Sequence, residues 1–174
     1  SLSWVQGTVL DPDLTPHPPS FPVWAADSQS FYFDQYVKIY QVGTAGGTPQ
    51  EVLEMPPLAE NPLGTLYFNQ IFALRGQTLL YKSYCYSISS HCLGVINLDG
   101  SGMRLVSALT PSTSNQSPQP SYSLDGNQLL VRDSSNLYVV NVSDFGTGNR
   151  TLITTGIAGR GVWYAPRNPN LSAS

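Results

Sequence analysis

Three stretches of this chain follow the same order of residue types, and that repetition limits the fold more than any other feature. Pro22-Val23-Trp24-Ala25-Ala26-Asp27 leads through a polar turn into Ser30-Phe31-Tyr32-Phe33. Asn69-Gln70-Ile71-Phe72-Ala73-Leu74 passes through Arg75-Gly76-Gln77 into Thr78-Leu79-Leu80-Tyr81. Pro120-Ser121-Tyr122-Ser123-Leu124-Asp125-Gly126 does the same before Gln128-Leu129-Leu130-Val131. A second β-rich run follows each time: Val37–Val42, Leu93–Leu98 and Leu137–Val142. Polar turns at Ala45–Thr48, Asp99–Gly102 and Phe145–Gly148 then lead to closing runs at Gln50–Leu53, Arg104–Val106 and Thr151–Thr154. The aromatic anchors Trp24, Phe72 and Tyr122 recur about every 50 residues, and Trp163 starts a fourth copy.

Four short strands in each 40 to 50 residues is the pattern of a propeller blade. The spacing therefore predicts an all-β protein of four-stranded antiparallel blades, with three complete blades and the first strand of a fourth. The boundaries are 22–55, 66–108, 119–155 and a partial 160–166. Residues 1–21 form an N-terminal strand and proline-rich linker, and 167–174 a tail. Almost no helix is expected, because the best helical candidate, Glu51–Leu58, is broken by Pro56 and Pro57. A blade strand is covered on both faces by its neighbours, so strict alternation is lost, as in Leu129-Leu130-Val131 and Val139-Val140. Asp125-Gly126 and Asp99-Gly100 supply the positive φ that two-residue hairpin turns need.

Charge narrows the function classes. Charged residues are 11% of the chain against about 25% in soluble domains, and the net charge is −3. With eight scattered cations, a nucleic-acid partner is disfavoured. No run of 18 apolar residues exists, so no membrane-inserting helix is expected. Disorder is excluded by 41% hydrophobic content. A surface built from Ser, Thr, Asn, Gln and Gly suits a secreted β protein.

Cys85 and Cys92 are separated by Tyr86-Ser87-Ile88-Ser89-Ser90-His91, with strand-like segments on either side. On a hairpin the two sulfurs can meet and tie the loop down; two free buried thiols are the alternative. The disulfide reading places the protein outside the cell, on its surface or in a periplasm. Glycosylation sequons start at Asn115, Asn141, Asn149 and Asn170. Pro118 follows the first and Asn141 falls in an expected strand, so Asn149 and Asn170 are the candidate acceptors.

Catalytic and metal motifs are not assembled in the sequence, and no catalytic residue, cofactor or metal site is assigned. His17 lies in the proline-rich linker, His91 lies beside the cysteines, and no G-x-S-x-G elbow exists. Cys85, His91 and Cys92 offer at most three of the four ligands zinc wants, without paired spacing. Asp144-Phe145-Gly146 reads as a turn, and Asp11-Pro12-Asp13 as a solvated linker rather than a calcium loop. Gly43–Gly47 lacks the lysine and helix of a phosphate cradle.

Pro120-Ser121-Tyr122-Ser123-Leu124-Asp125-Gly126 with Leu137-Tyr138-Val139-Val140-Asn141 resembles the repeat of TolB-type β-propellers, a WD-repeat-like fold of the form P-x-W-S-P-D-G, a β run, then I-Y-V-M-N. The first repeat is similar in Pro22-Val23-Trp24 with Asp27 and in Lys38-Ile39-Tyr40-Gln41-Val42. The second departs, with Asn69 at the proline position and Arg75-Gly76 for Asp-Gly. The resemblance spans Pro22 to Pro166 and implies the fold. It leaves function open among periplasmic binding platforms, gates on prolyl-peptidase domains and repeats of large secreted proteins.

Three blades would leave two apolar faces uncovered, which a soluble monomer rarely tolerates. A second copy, an open head-to-tail stack or further chain could cover them. Leu2–Leu10 could complete a neighbouring blade by strand addition, or close the chain's own last blade. The leading expectation is a non-catalytic secreted or cell-surface interaction scaffold whose rim loops, Pro56–Pro62, Tyr86–His91 and Pro111–Pro118, meet a protein partner. The alternatives are a self-assembling subunit, as a dimeric ring or a filament, and the propeller portion of a peptidase whose catalytic domain lies elsewhere.

Overall fold

The computed structural model describes residues 22–65, 67–109 and 119–156. The N-terminal strand and linker, the rim loop Pro111–Pro118, the partial fourth repeat, His17 and Asn170 lie outside the described residues. Among the described residues, twelve strands form three separate four-stranded antiparallel sheets, each an up-and-down meander. The first blade holds β1 (Val23–Trp24), β2 (Ser30–Gln35), β3 (Lys38–Gly43) and β4 (Gln50–Glu54). The second holds β5 (Gln70–Arg75), β6 (Thr78–Cys85), β7 (Ser90–Asn97) and β8 (Arg104–Ala108). The third holds β9 (Gln119–Tyr122), β10 (Gln128–Asp133), β11 (Asn136–Asn141) and β12 (Thr151–Thr154). The architecture is that of an open part of a β-propeller. Its helical content among the described residues is limited to the 3-10 turns Tyr86–Ile88 and Val142–Asp144.

One backbone hydrogen bond recurs in all three blades and aligns them. Thr44, Leu98 and Val142 donate their N–H to the carbonyls of Gln29, Gln77 and Asn127 at 2.8, 2.8 and 2.9 Å. Counting from it, Phe31, Leu79 and Leu129 are equivalent, as are Phe33, Tyr81 and Val131, and Val42, Ile96 and Val140. One residue on, Tyr32, Leu80 and Leu130 match, with Gln41, Val95 and Val139 across the sheet. A third set, Asp34, Lys82 and Arg132, puts one ionisable side chain per blade at the same register.

The pleat decides which neighbour each residue touches. Leu79, Tyr81 and Ile96 of the middle blade pack with Tyr32, Ile39, Leu53 and Met55 of the first. Leu80, Leu93, Val95 and Val106 pack instead with Leu129, Val131, Val140 and Phe145 of the third. Consecutive residues thus serve two different cores, and the run Leu79-Leu80-Tyr81 is buried throughout because both faces of the middle blade are covered at β6. Gly94 makes room for this packing: a Cβ there would stand 2.8 Å from the Tyr81 ring.

The turns differ from expectation. Asp125-Gly126 and Asp99-Gly100 do sit at turns, with Gly126 at φ 69° and Gly100 at φ 83°. Neither is a two-residue hairpin, since β9 and β10 are joined by five residues and β7 and β8 by six. The tight connections are Tyr36-Val37, Gly76-Gln77 and Ser134-Ser135, each with its first residue at positive φ (57°, 58° and 57°), as a II′ turn requires. Two of the three positions therefore carry side chains that disfavour the conformation by about 1 kcal/mol or more. Ser134→Gly is expected to raise unfolding stability by roughly 0.5–1 kcal/mol in urea titration, because the Arg132 Nε bond to the Ser134 carbonyl is kept. A loss of stability would contradict that account.

Candidate functional site

In a meander, the strand 2–3 turns and the links between blades lie at one end, and the remaining turns at the other. The first of these ends carries the 56–65 loop and the Tyr86–Ser89 turn, and the two pack together. Tyr86 N–H donates to the Gly64 carbonyl at 3.2 Å, and Ser87 Oγ donates to the Leu63 carbonyl at 3.0 Å. Thr65 forms an isolated bridge with Cys85. Gly64 at φ 57° brings its backbone close to Tyr86, where a Cβ would lie 3.5 Å from the Tyr86 Cβ.

Asn61 organises the loop from within. It is buried, and its Nδ2 donates to the Thr65 carbonyl at 3.0 Å and to Thr65 Oγ1 at 2.7 Å. Its Oδ1 accepts from the Leu63 N–H at 3.1 Å, and Thr65 Oγ1 donates to Met55 Sδ at 3.3 Å. A buried amide with these partners replaces the ladder bonds that a proline-containing loop cannot make.

The cysteines form the expected disulfide. They are not directly opposed: Cys85 pairs with Ser90 and Cys92 with Ser83, so the bridge is diagonal, with Cα atoms 5.9 Å apart. Both are fully buried. Behind the bridge, Ser90 Oγ donates to the Leu109 carbonyl at 2.8 Å and Leu109 N–H to the His91 carbonyl at 2.9 Å. Closing so short a loop constrains the unfolded chain by about 2.5 kcal/mol. Cys85→Ser with Cys92→Ser is expected to lose roughly that much in denaturant unfolding, with faster amide exchange confined first to residues 86–89. Unchanged stability would mean that the hairpin orders without the bond.

The opposite face of the same hairpin carries an aromatic cluster. The Tyr84 ring meets Tyr86 edge-on at 5.1 Å and His91 at 5.6 Å. Burial and the nearby Lys82 ammonium hold the His91 pKa below its usual value. Burial likewise lowers the Lys82 pKa. His91 is therefore part of an edge-to-face aromatic cluster, and the disulfide removes both cysteines as ligands. Among the described residues no cluster of three metal-ligating side chains occurs.

Among the described residues, water meets three large apolar side chains at this end: Tyr86 (56% exposed), Leu58 (51%) and Ile88 (39%). Two rim loops named from the sequence thus converge here, and the third lies outside the described residues. That 56–65 would fold around buried Asn61 had no local signal, because its partner Thr65 is recognisable only once the loop has closed. Asn149 sits exposed just before β12. Asn141 is the last residue of β11, and its Nδ2 donates to Asp144 Oδ2 at 2.9 Å.

Comparison with known proteins gives the fold. No protein-family model matches the sequence, and no curated protein matches it. Among solved structures, a chain assigned as TolB from Agrobacterium tumefaciens superposes with a TM-score of 0.57 at 18% identity, over 82% of this chain and 48% of that one. The chain thus spans about half the length of that neighbour. At this identity the likeness establishes a TolB-like β-propeller fold, in agreement with the sequence repeat.

Proposed function

We propose that this chain is a non-catalytic β-propeller module, secreted or on the cell surface, that serves as a protein-interaction scaffold through the end carrying Leu58, Tyr86 and Ile88. The observation that carries the reading is exposure combined with rigidity. Three large apolar side chains face water on loops fixed by buried Asn61, by loop-to-loop hydrogen bonds and by a disulfide. Loops ordered before binding lose little entropy on docking, and tyrosine is among the residues enriched at interface hot spots. The disulfide supports an oxidising compartment. The partner in this reading is a protein with an apolar pocket, not a polyanion, since the chain carries only eight cations.

The test is a photo-crosslinking residue placed at Tyr86 and, in a second protein, at the exposed Ser101 on the opposite end. With the surrounding secreted or envelope proteins of the native source, Tyr86 should give a discrete crosslinked band that Ser101 does not. Ile88→Asp should reduce that band about tenfold or more. Equal labelling from both ends, or none from Tyr86, would remove this end as the contact face.

A further inference from the structure

The two outer blades each turn one face away from the middle blade, and both faces have the composition of a covered one. On the first blade, Trp24 and Phe31 meet edge-on at 6.1 Å, and Phe33 stacks on Tyr40 at 5.6 Å. Val42 lies opposite Phe31, and Trp24 is 61% exposed. The charge beside them is paired: Lys38 Nζ lies 2.8 Å from Glu51. On the third blade, Leu130, Val139 and Ile153 with Gln128, Asn141 and Thr151 line a shallow groove of about 510 Å³. Ile153 is 55% exposed. Leu129-Leu130-Val131 and Val139-Val140 are patterned for a strand buried on both sides, yet among the described residues no blade packs on this side.

The register says what fits there. Phe31, Phe33 and Val42 occupy the positions of Leu79, Tyr81 and Ile96, the residues by which the second blade receives the first. They also match Leu129, Val131 and Val140, by which the third receives the second. Leu130 and Val139 occupy the positions of Leu80 and Val95, which deliver that contact from the other side. The open face of the third blade is therefore a donor of a blade junction made twice within the chain, and the open face of the first is its acceptor.

We propose that the occupant of both faces is a second copy of this chain, with the third blade of each copy packed on the first blade of the other. The result is a six-bladed closed ring with two-fold symmetry. Six lies within the usual range of four to eight blades, and a head-to-tail contact that closes after two copies leaves no apolar face uncovered. This surface is separate from the Tyr86 end, so the failure of either reading leaves the other standing.

The experiment is native mass by light scattering on the full chain, with Trp24→Glu and Val139→Glu variants. The wild type should weigh twice the 18.9 kDa chain mass. Each variant should weaken the dimer about 100-fold or more, because in a ring every junction contains one altered face. Mixing the two variants should restore dimers, since one junction then joins two unaltered faces; this rescue separates a lost contact from a lost fold. Three results would each overturn the proposal: a wild-type monomer, as when residues 1–21 or an unlike protein cover the faces; long particles in place of a dimer; or sensitivity to Trp24→Glu alone without rescue.

Discussion

Leu79→Ala and Leu80→Ala should each cost about 3 kcal/mol of unfolding stability, although the two residues are adjacent and face opposite ways. Both are essentially fully buried, and truncating a buried leucine removes its transfer free energy and leaves a cavity. Neighbouring residues usually couple, but Leu79 packs on the first blade and Leu80 on the third, so they share few partners. The double variant should therefore lose nearly the sum, roughly 6 kcal/mol, which is comparable to the whole stability of many domains. The single variants should also differ in kind. Leu80→Ala loosens the third blade first and Leu79→Ala the first, because in stacked repeats each unit is held by its nearest neighbours. Denaturant unfolding followed by hydrogen exchange resolves both points. A double variant no worse than either single one would show that the two blade junctions are a single cooperative core.

The second large effect is electrostatic. Asp34 is 8% exposed, and its Oδ1 has no hydrogen-bond partner among the described residues. Burial pushes its pKa up to about 6, against partial relief from its own and the Ile71 backbone. At pH below the unfolded value of 3.8 the carboxyl is neutral in both states and costs nothing. Between there and about 6 the unfolded chain releases the proton while the folded one keeps it, so stability falls as pH rises; above that range the deficit is constant. About two pKa units correspond to at most roughly 3 kcal/mol. Asp34→Asn should therefore stabilise the protein at pH 7 by about 1–3 kcal/mol and flatten this part of the pH profile. Urea midpoints from pH 3 to 8 decide it. A wild type whose stability rises from pH 4 to 6, with no difference from the variant, would show that the carboxyl is solvated.

Asp34 also illustrates what the sequence did and did not disclose. The repeat, the strands and the pairing of Cys85 with Cys92 were legible, because strand runs, turn residues and short cysteine spacing are local signals. The alignment of Asp34 with Lys82 and Arg132 was not, since it depends on register fixed by loop hydrogen bonds. Sidedness was hidden for the same reason: Leu79 and Leu80 look alike until the pleat assigns them to different neighbours. Glycine alone does not mark the tight turns, because Tyr36 and Ser134 accept positive φ where flanking strands enforce it. At the candidate site the tip of the β6–β7 hairpin was legible. The arrival of 56–65 beside it was not, because a buried amide in a proline-containing loop gives no periodic pattern.

Each sheet pairs only strands that follow one another in the chain, and the disulfide joins residues seven apart. During synthesis a blade can therefore form as soon as its own residues have emerged, without waiting for distant sequence. With two cysteines in the whole chain, only one intramolecular pairing exists. Oxidation at the β6–β7 tip thus needs no shuffling and draws only on residues of the middle blade.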